Sequence, residues 1–295
     1  MSTHIRSINL RYFPWIPVAI ASVFTLMYLP IVISWVHGWL FKSISIEHEY
    51  FSHGMIGLPF AGYLAWQMRS KVTAGIASWR DQLIGTVICT IAGVFYLSNL
   101  VELVNLSFPL MIMGIILVLF GASALRRLTF PLVLVWLATP NEVPYLITPY
   151  TLPLQIFIAN VAGFILRLFG FPVVVDQFYL YLNDKQVEVA PYCAGLKMLF
   201  TSLYVSLLLL HWTGLIRSRQ FVGFFLGCTV LLSVVGNIIR NTLLTYFHGT
   251  GQDALFTWLH DSWGGDLYSA GILGILVWWI GKFENAASPS QASRQ

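Results

Sequence analysis

Residues 220–246 read QFVGFFLGCTVLLSVVGNIIRNTLLTY, an apolar run whose only charged residue is Arg240. As a helix it would rise roughly 40 Å, more than the roughly 30 Å hydrocarbon core of a bilayer. Comparable runs lie at 14–36, 83–101, 108–125, 194–212 and 266–281, with shorter or Gly/Pro-interrupted ones at 54–68, 128–140 and 150–170. Composition agrees: charged residues are 9% and hydrophobic residues 57% of the chain, against about 25% and 45–50% in soluble domains. The expectation is an all-α polytopic membrane protein. The first run is too long for a signal-peptide core and lacks a convincing small-residue cleavage site, so it reads as a retained span. Residues 1–284 read as a single transmembrane domain and 285–295 as a short disordered cytoplasmic tail.

The net charge is +4, but its distribution among the loops says more than its sum. Arg6 and Arg11, then Arg69, Lys71 and Arg80, then Arg126 and Arg127, then Arg217 and Arg219 occupy alternate loops. The positive-inside rule puts all of these in the cytoplasm. The remaining loops carry Glu47, His48, Glu49 and His53; Glu102; Glu142; Asp176, Asp184 and Glu188; and Asp253, His260, Asp261 and Asp266. Those face outward, with Lys42 and Lys185 as isolated exceptions to the bias. Parity then requires an odd number of crossings between Arg127 and the segment before Cys193. The run at 128–140 supplies one, so residues 151–170 are expected to form an interfacial or re-entrant helix. The count comes to about eight transmembrane helices with both ends inside. Pro172 to Glu188 alternates around Asn183-Asp184 and predicts a short extracytoplasmic β-hairpin.

That hairpin feeds Pro191-Tyr192-Cys193-Ala194-Gly195-Leu196-Lys197, where a polar outer segment turns into an apolar helix. A helix start favours thiolate over thiol, and Lys197 adds a cation one turn on, so Cys193 is a candidate nucleophile rather than only a small buried residue. On the 220–246 span, Ser233, Asn237, Arg240 and Asn241 share one helical face. An arginine in hydrocarbon is costly enough to require a place inside the bundle, unless it snorkels to the interface. His260-Asp261-Ser262-Trp263-Gly264-Gly265 stands in the outer loop before the last span. Thiolate, arginine and imidazole on one membrane face suit acyl transfer: attack on a carbonyl, stabilisation of the oxyanion, and proton transfer to the leaving amine. Cys89 and Cys228 read as packing residues inside spans, and no intramolecular disulfide is expected.

These motifs together resemble the exosortase/archaeosortase family of membrane transpeptidases, over about Glu47 to Phe283. Tyr50-Phe51-Ser52-His53-Gly54, followed by Tyr63-Leu64-Ala65-Trp66, is similar to the family's Tyr-Ser-His-Gly region. Phe130-Pro131-Leu132, Pro153-Leu154-Gln155 and Gly170-Phe171-Pro172-Val173 follow in order. Cys193-Ala194-Gly195-Leu196-Lys197 stands for the usual Cys-Ser-Gly-Leu-Arg, Asn237-Ile238-Ile239-Arg240 for Asn-x-x-Arg, and His260-Asp261-Ser262-Trp263-Gly264 for His-Asp-x-x-Gly. The resemblance implies Cys193 as nucleophile, Arg240 as oxyanion or substrate-carboxylate ligand and His260 as general acid/base. Asn237, Lys197, His53, Asp261 and Glu188 are candidates for substrate binding or support of those three. It also implies the partners: exported proteins whose C-terminal sorting signal joins a Pro-Glu-Pro-type motif, a transmembrane helix and a basic tail, and an envelope acceptor, lipid or glycan. The enzyme would sit in the bacterial inner membrane, among its lipids, with its site facing out.

Two residues depart from the family pattern. Ala194 removes a hydroxyl beside the nucleophile, and Lys197 keeps the charge of the usual arginine but loses its bidentate fork. Altered recognition is expected rather than lost chemistry, and the pattern resembles a cyanobacterial-type branch of the family. No cofactor, metal or nucleic-acid partner is expected; the spacing of His48 and His53 with Glu47 and Glu49 matches no ligand pattern. The alternatives are a transporter or lipid-handling protein that uses Arg240 as an anion site, and a silent scaffold. Against the first, no paired-half symmetry is visible; against the second, the ordered Cys/Arg/His set would have no explanation.

Overall fold

The apolar runs become helices in the computed structural model, which describes residues 15–41, 50–73, 75–189 and 195–287. Contacts group the chain into two units, Met1–Glu142 and Val143–Gln295, within the span that the sequence reading treats as one domain. Cys193, Ala194, Glu47, His48, Glu49 and residues 288–295 lie outside the described residues.

The first unit holds α1 (Trp15–Leu40), α2 (Gly54–Gln67), the short α3 (Arg69–Thr73), α4 (Trp79–Leu97), α5 (Val101–Arg127) and α6 (Thr129–Ala138). Helix α4 starts on a capping box, with Ser78 and Asp81 satisfying each other's backbone N–H groups. It forms a close antiparallel pair with α5. Helix α5 is not continuous: Gly121, at φ +74 and ψ 179, breaks it against Ala77 and Ile76, where a Cβ would stand 2.9 Å from the Ala77 Cα. Past Gly121 the chain turns helical again and runs through Leu128 into α6, since Leu132 N–H still bonds the Leu128 carbonyl. Helix α6 packs antiparallel on α2 and α3, with Val72 against Leu128 and Leu132 at one end and His53 against Leu137 at the other. Tyr28, Trp35 and Trp39 bury one stripe of α1 against Phe108. Tyr28 and Ser107 share a hydrogen bond, and Trp35 Nε1 donates to Asn105 Oδ1. Trp35 and Trp39 are therefore core packing residues.

The second unit begins with a helical turn α7 (Val143–Ile147), a 3₁₀ turn Thr148–Thr151 and α8 (Leu152–Leu168). Strands β1 (Val174–Asp176), β2 (Tyr179–Leu182) and β3 (Lys185–Glu188) follow as an antiparallel meander in the order β1-β2-β3. The single hairpin expected from sequence is thus two hairpins. The second turns on Asn183-Asp184, both at positive φ, the geometry of a two-residue type I′ turn. Leu180 and Leu182 point from β2 into a core with Ile158, Ala159, Ala162, Leu166 and Ile238. Then come α9 (Lys197–Trp212), α10 (Arg219–Gly249), α11 (Asp253–His260) and α12 (Trp263–Ala287). Helix α12 runs to Ala287 and so includes Asn285, the first residue of the expected tail.

Among the described residues, five helical segments are long and apolar enough to cross a membrane: Val18–Leu40, Trp79–Leu97, Val101–Arg127, Val143–Leu168 and Arg219–Gly249. Large apolar side chains stand exposed along them, Leu26 at 76%, Leu97 at 75% and Leu168 at 69% among them, as a lipid-facing surface requires. The protein is thus mostly helical and polytopic. Eight crossings are not reached by length, because Thr129–Ala138 and Lys197–Trp212 are shorter apolar helices. Residues 151–170, expected to form an interfacial or re-entrant helix, overlap Val143–Leu168, which is long enough to cross because α7 and the 3₁₀ turn extend α8 toward its N-terminal side.

Candidate active site

Helix α10 organises the site. Thr229, Ser233, Asn237, Asn241 and Thr245 recur every four residues and are all buried, so one face of a long apolar helix is polar throughout. Helix α9 covers the N-terminal part of that face, where Ser206 and Thr229 hydroxyls hydrogen-bond at 2.8 Å. This is the face that the sequence assigns to Ser233, Asn237, Arg240 and Asn241.

Two other segments approach it. Gly195, two residues beyond Cys193, lies over Asn237: a Cβ on Gly195 would stand 2.8 Å from the Asn237 Cγ, and its φ is +87. A glycine is required there for both reasons. Gly265, in the first turn of α12, lies against Arg240, with a Cβ there 3.8 Å from the Arg240 Nη2. Tyr268, one turn on, donates its hydroxyl to the Gly236 carbonyl at 2.5 Å and pins α12 to α10. The Cys193, Asn237/Arg240 and His260 motifs are therefore gathered through their glycines, although Cys193 and Ala194 themselves lie outside the described residues.

His260 closes α11. Its Nδ1 sits 2.5 Å from Asp261 Oδ1, and its ring stacks on Phe256 with centroids 5.2 Å apart and planes 8° apart. A carboxylate on Nδ1 fixes the ring's orientation and favours the tautomer with the proton on that nitrogen. Lys197 is the first residue of α9 and half-buried. Glu188 ends β3, exposed and paired in register with Tyr179.

His53 belongs to the first unit. It is buried, its Nε2 is 3.0 Å from the Leu137 carbonyl, and burial pushes its imidazole pKa down more than that carbonyl raises it. The contact joins the start of α2 to the end of α6.

One cluster escapes the motif reading. Asp253, at the start of α11, accepts from Lys185 Nζ at 2.9 and 3.0 Å and from His248 Nδ1 at 2.9 Å. The Lys185 hydrogen bond first, and that of His248 second, hold the Asp253 carboxyl below the usual range. Asn183 Nδ2 donates to the Gly249 carbonyl nearby. Lys185 was visible in the sequence as a cation on the acidic side of the membrane, but its partner was not. No group of three or more metal-ligating side chains occurs among the described residues.

A family model described as transmembrane exosortase (Exosortase_EpsH) matches residues 35–278, which include every motif segment gathered here. No curated protein and no solved structure matches the chain.

Proposed function

The chain belongs to the transmembrane exosortase family, and from that premise we propose that it is a cysteine transpeptidase cutting C-terminal sorting signals of exported proteins at the outer face of the bacterial inner membrane. The observation that carries this reading is the approach of Gly195 and Gly265 to Asn237 and Arg240 on one buried polar helix face. Three motifs far apart in sequence meet there.

In the proposed reaction the Cys193 thiolate attacks the scissile carbonyl carbon, forming a C–S bond and a tetrahedral oxyanion facing the Arg240 guanidinium. Collapse of the oxyanion expels the amine of the departing transmembrane segment. His260 supplies its proton, with Asp261 holding Nδ1 so that Nε2 is the nitrogen that exchanges protons. The thioester is then attacked by an acceptor nucleophile of the cell envelope, whose proton His260 takes, and the thiolate leaves. Lys197 and Glu188 flank the Cys193 segment and suit contacts to a charged motif. We take the chain to cross the membrane eight times with both ends in the cytoplasm, residues 151–170 lying in the interface or re-entering.

Co-expression with a tagged reporter ending in a Pro-Glu-Pro motif, a transmembrane helix and a basic tail tests this directly. Wild type is expected to shorten the reporter, and Cys193→Ala and Arg240→Ala at equal expression to leave it full length. Cleavage that survives Cys193→Ala would refute the nucleophile assignment.

A further inference from the structure

Along the polar face of α10, hydrogen bonding changes with position. Thr229 is bonded to Ser206 across the helix pair and back to the Phe225 carbonyl. Asn241 Nδ2 and Thr245 Oγ1 donate to the Asn237 and Asn241 carbonyls of their own helix. Along the same stretch Ser233 Oγ, both polar atoms of Asn237 and Nε of Arg240 are buried and have no hydrogen-bond partner among the described residues. Asn237 is the most demanding of them: it is 1% exposed, and a carboxamide brings two donors and an acceptor. Burying it unpaired opposes folding, and a leucine, with the same branching at Cγ and no polar atoms, would avoid that cost.

The cover over Asn237 narrows what can bind it. Gly195 presents only backbone: a Cβ there would also meet Nδ2 at 3.0 Å. Chemistry narrows it further. An oxyanion would use only donors and be repelled by Oδ1, whereas a peptide group offers one acceptor and one donor, the complement of a carboxamide edge. Arg240, one turn on, supplies the purely cationic donor the oxyanion needs.

We propose that Asn237 binds the main chain of the substrate, Nδ2 donating to a peptide carbonyl and Oδ1 accepting the N–H of a peptide group beside the scissile bond. Asn237 is thus a substrate-positioning ligand, distinct from the oxyanion role given to Arg240. The assignment rests on the transpeptidase reading above. Because the contact is to backbone, it is indifferent to the side chains of the sorting motif.

The test compares the purified full-length protein with Asn237→Leu, reading both thermal unfolding and cleavage of a synthetic sorting-signal peptide. Asn237→Leu is expected to unfold at or above the wild-type temperature, since a buried polar group without a partner is removed. Its cleavage is expected to fall roughly 10- to 100-fold, as for two lost hydrogen bonds. Peptides N-methylated one amide at a time add a readout that a structural role would not move: one position should slow wild type and leave the residual rate of Asn237→Leu unchanged. Wild-type cleavage alongside an equally fast Asn237→Leu would overturn the assignment of Asn237 alone, as would a variant that unfolds well below wild type. A wild type that cleaves no such peptide would instead refute the transpeptidase reading.

Discussion

At the scale of single residues, Arg240 and Asp261 separate chemistry from structure. Arg240 has a buried Nε without a hydrogen-bond partner among the described residues and lies against the backbone-only position Gly265, so the described fold makes incomplete use of its guanidinium. Arg240→Ala is expected to reduce reporter cleavage about 10²- to 10³-fold, the range seen when an oxyanion donor is removed. Arg240→Lys, which keeps the charge and loses the fork, should fall between that variant and wild type. Comparable thermal unfolding of all three would tie the losses to catalysis; parallel losses of stability would make Arg240 a structural residue. Asp261→Asn replaces the carboxylate 2.5 Å from His260 Nδ1 with a group that also carries donors. The expected effect is a drop of roughly 10- to 100-fold in cleavage, by analogy with residues that orient a histidine ligand, with KM nearly unchanged. An unchanged turnover number would show that Phe256 stacking alone orients the imidazole. Both positions stood out in the sequence as candidates, Arg240 as the lone charge of an apolar run and His260 because it precedes an acid. Tyr268 and Gly195 did not, since a tyrosine in a first turn and a glycine two residues from a cysteine carry no periodic or charge signal.

At the scale of elements, one ionic cluster ties two segments of the site together. Lys185 begins β3, which leads toward Cys193, and Asp253 begins α11, which ends at His260. Their contact, with His248 on the same carboxylate, fastens the hairpin to the corner between α10 and α11. Both partners are solvent-accessible, so the cluster positions more than it stabilises. Asp253→Asn is expected to speed amide exchange across β2 and β3 while leaving global unfolding almost unchanged. The double exchange Lys185→Glu with Asp253→Lys should restore protection, and unaltered exchange in Asp253→Asn would dismiss the latch. The pH sign follows from the depressed carboxyl: its contribution is complete above the unperturbed value of 3.8 and disappears as pH falls through the lower folded value. Protection of the hairpin should therefore drop only in acid. The hairpin itself was legible from alternation around Asn183-Asp184. The separation of β1 from β2 was not, because no glycine, proline or Asn-Gly pair marks the turn between Asp176 and Tyr179, where Gln177 takes a positive φ. The break at Gly121 was hidden too, within an uninterrupted apolar stretch.

At the scale of the whole molecule, the number of crossings depends on the segment Val143–Leu168. Length and composition allow it to cross, yet hydrogen bonding in the first unit argues otherwise. His53 Nε2 meets the Leu137 carbonyl, and Val72 packs on Leu128 and Leu132, so α2 with α3 and the helix ending at Ala138 run antiparallel at matching depth. The basic residues Arg69 and Lys71 then lie level with Arg126 and Arg127, and the His53 end lies level with Ala138. If the basic level is cytoplasmic, Ala138 is at the outer face and Glu142 follows it there. We propose that β3 lies outside as well, the side to which the sequence reading assigns Asp176, Asp184 and Glu188. A segment whose two flanks are both outside cannot cross once, however apolar it is, and must lie in the interface or enter and return. Single cysteines at Glu142 and Glu188, introduced after Cys89, Cys193 and Cys228 are replaced by serine, test this with an impermeant maleimide on intact spheroplasts. Both positions are expected to label from outside. Labelling of the Glu188 position alone, with the Glu142 position reached only after permeabilisation, would mean that Val143–Leu168 is a full span and that the chain crosses by a different set of helices.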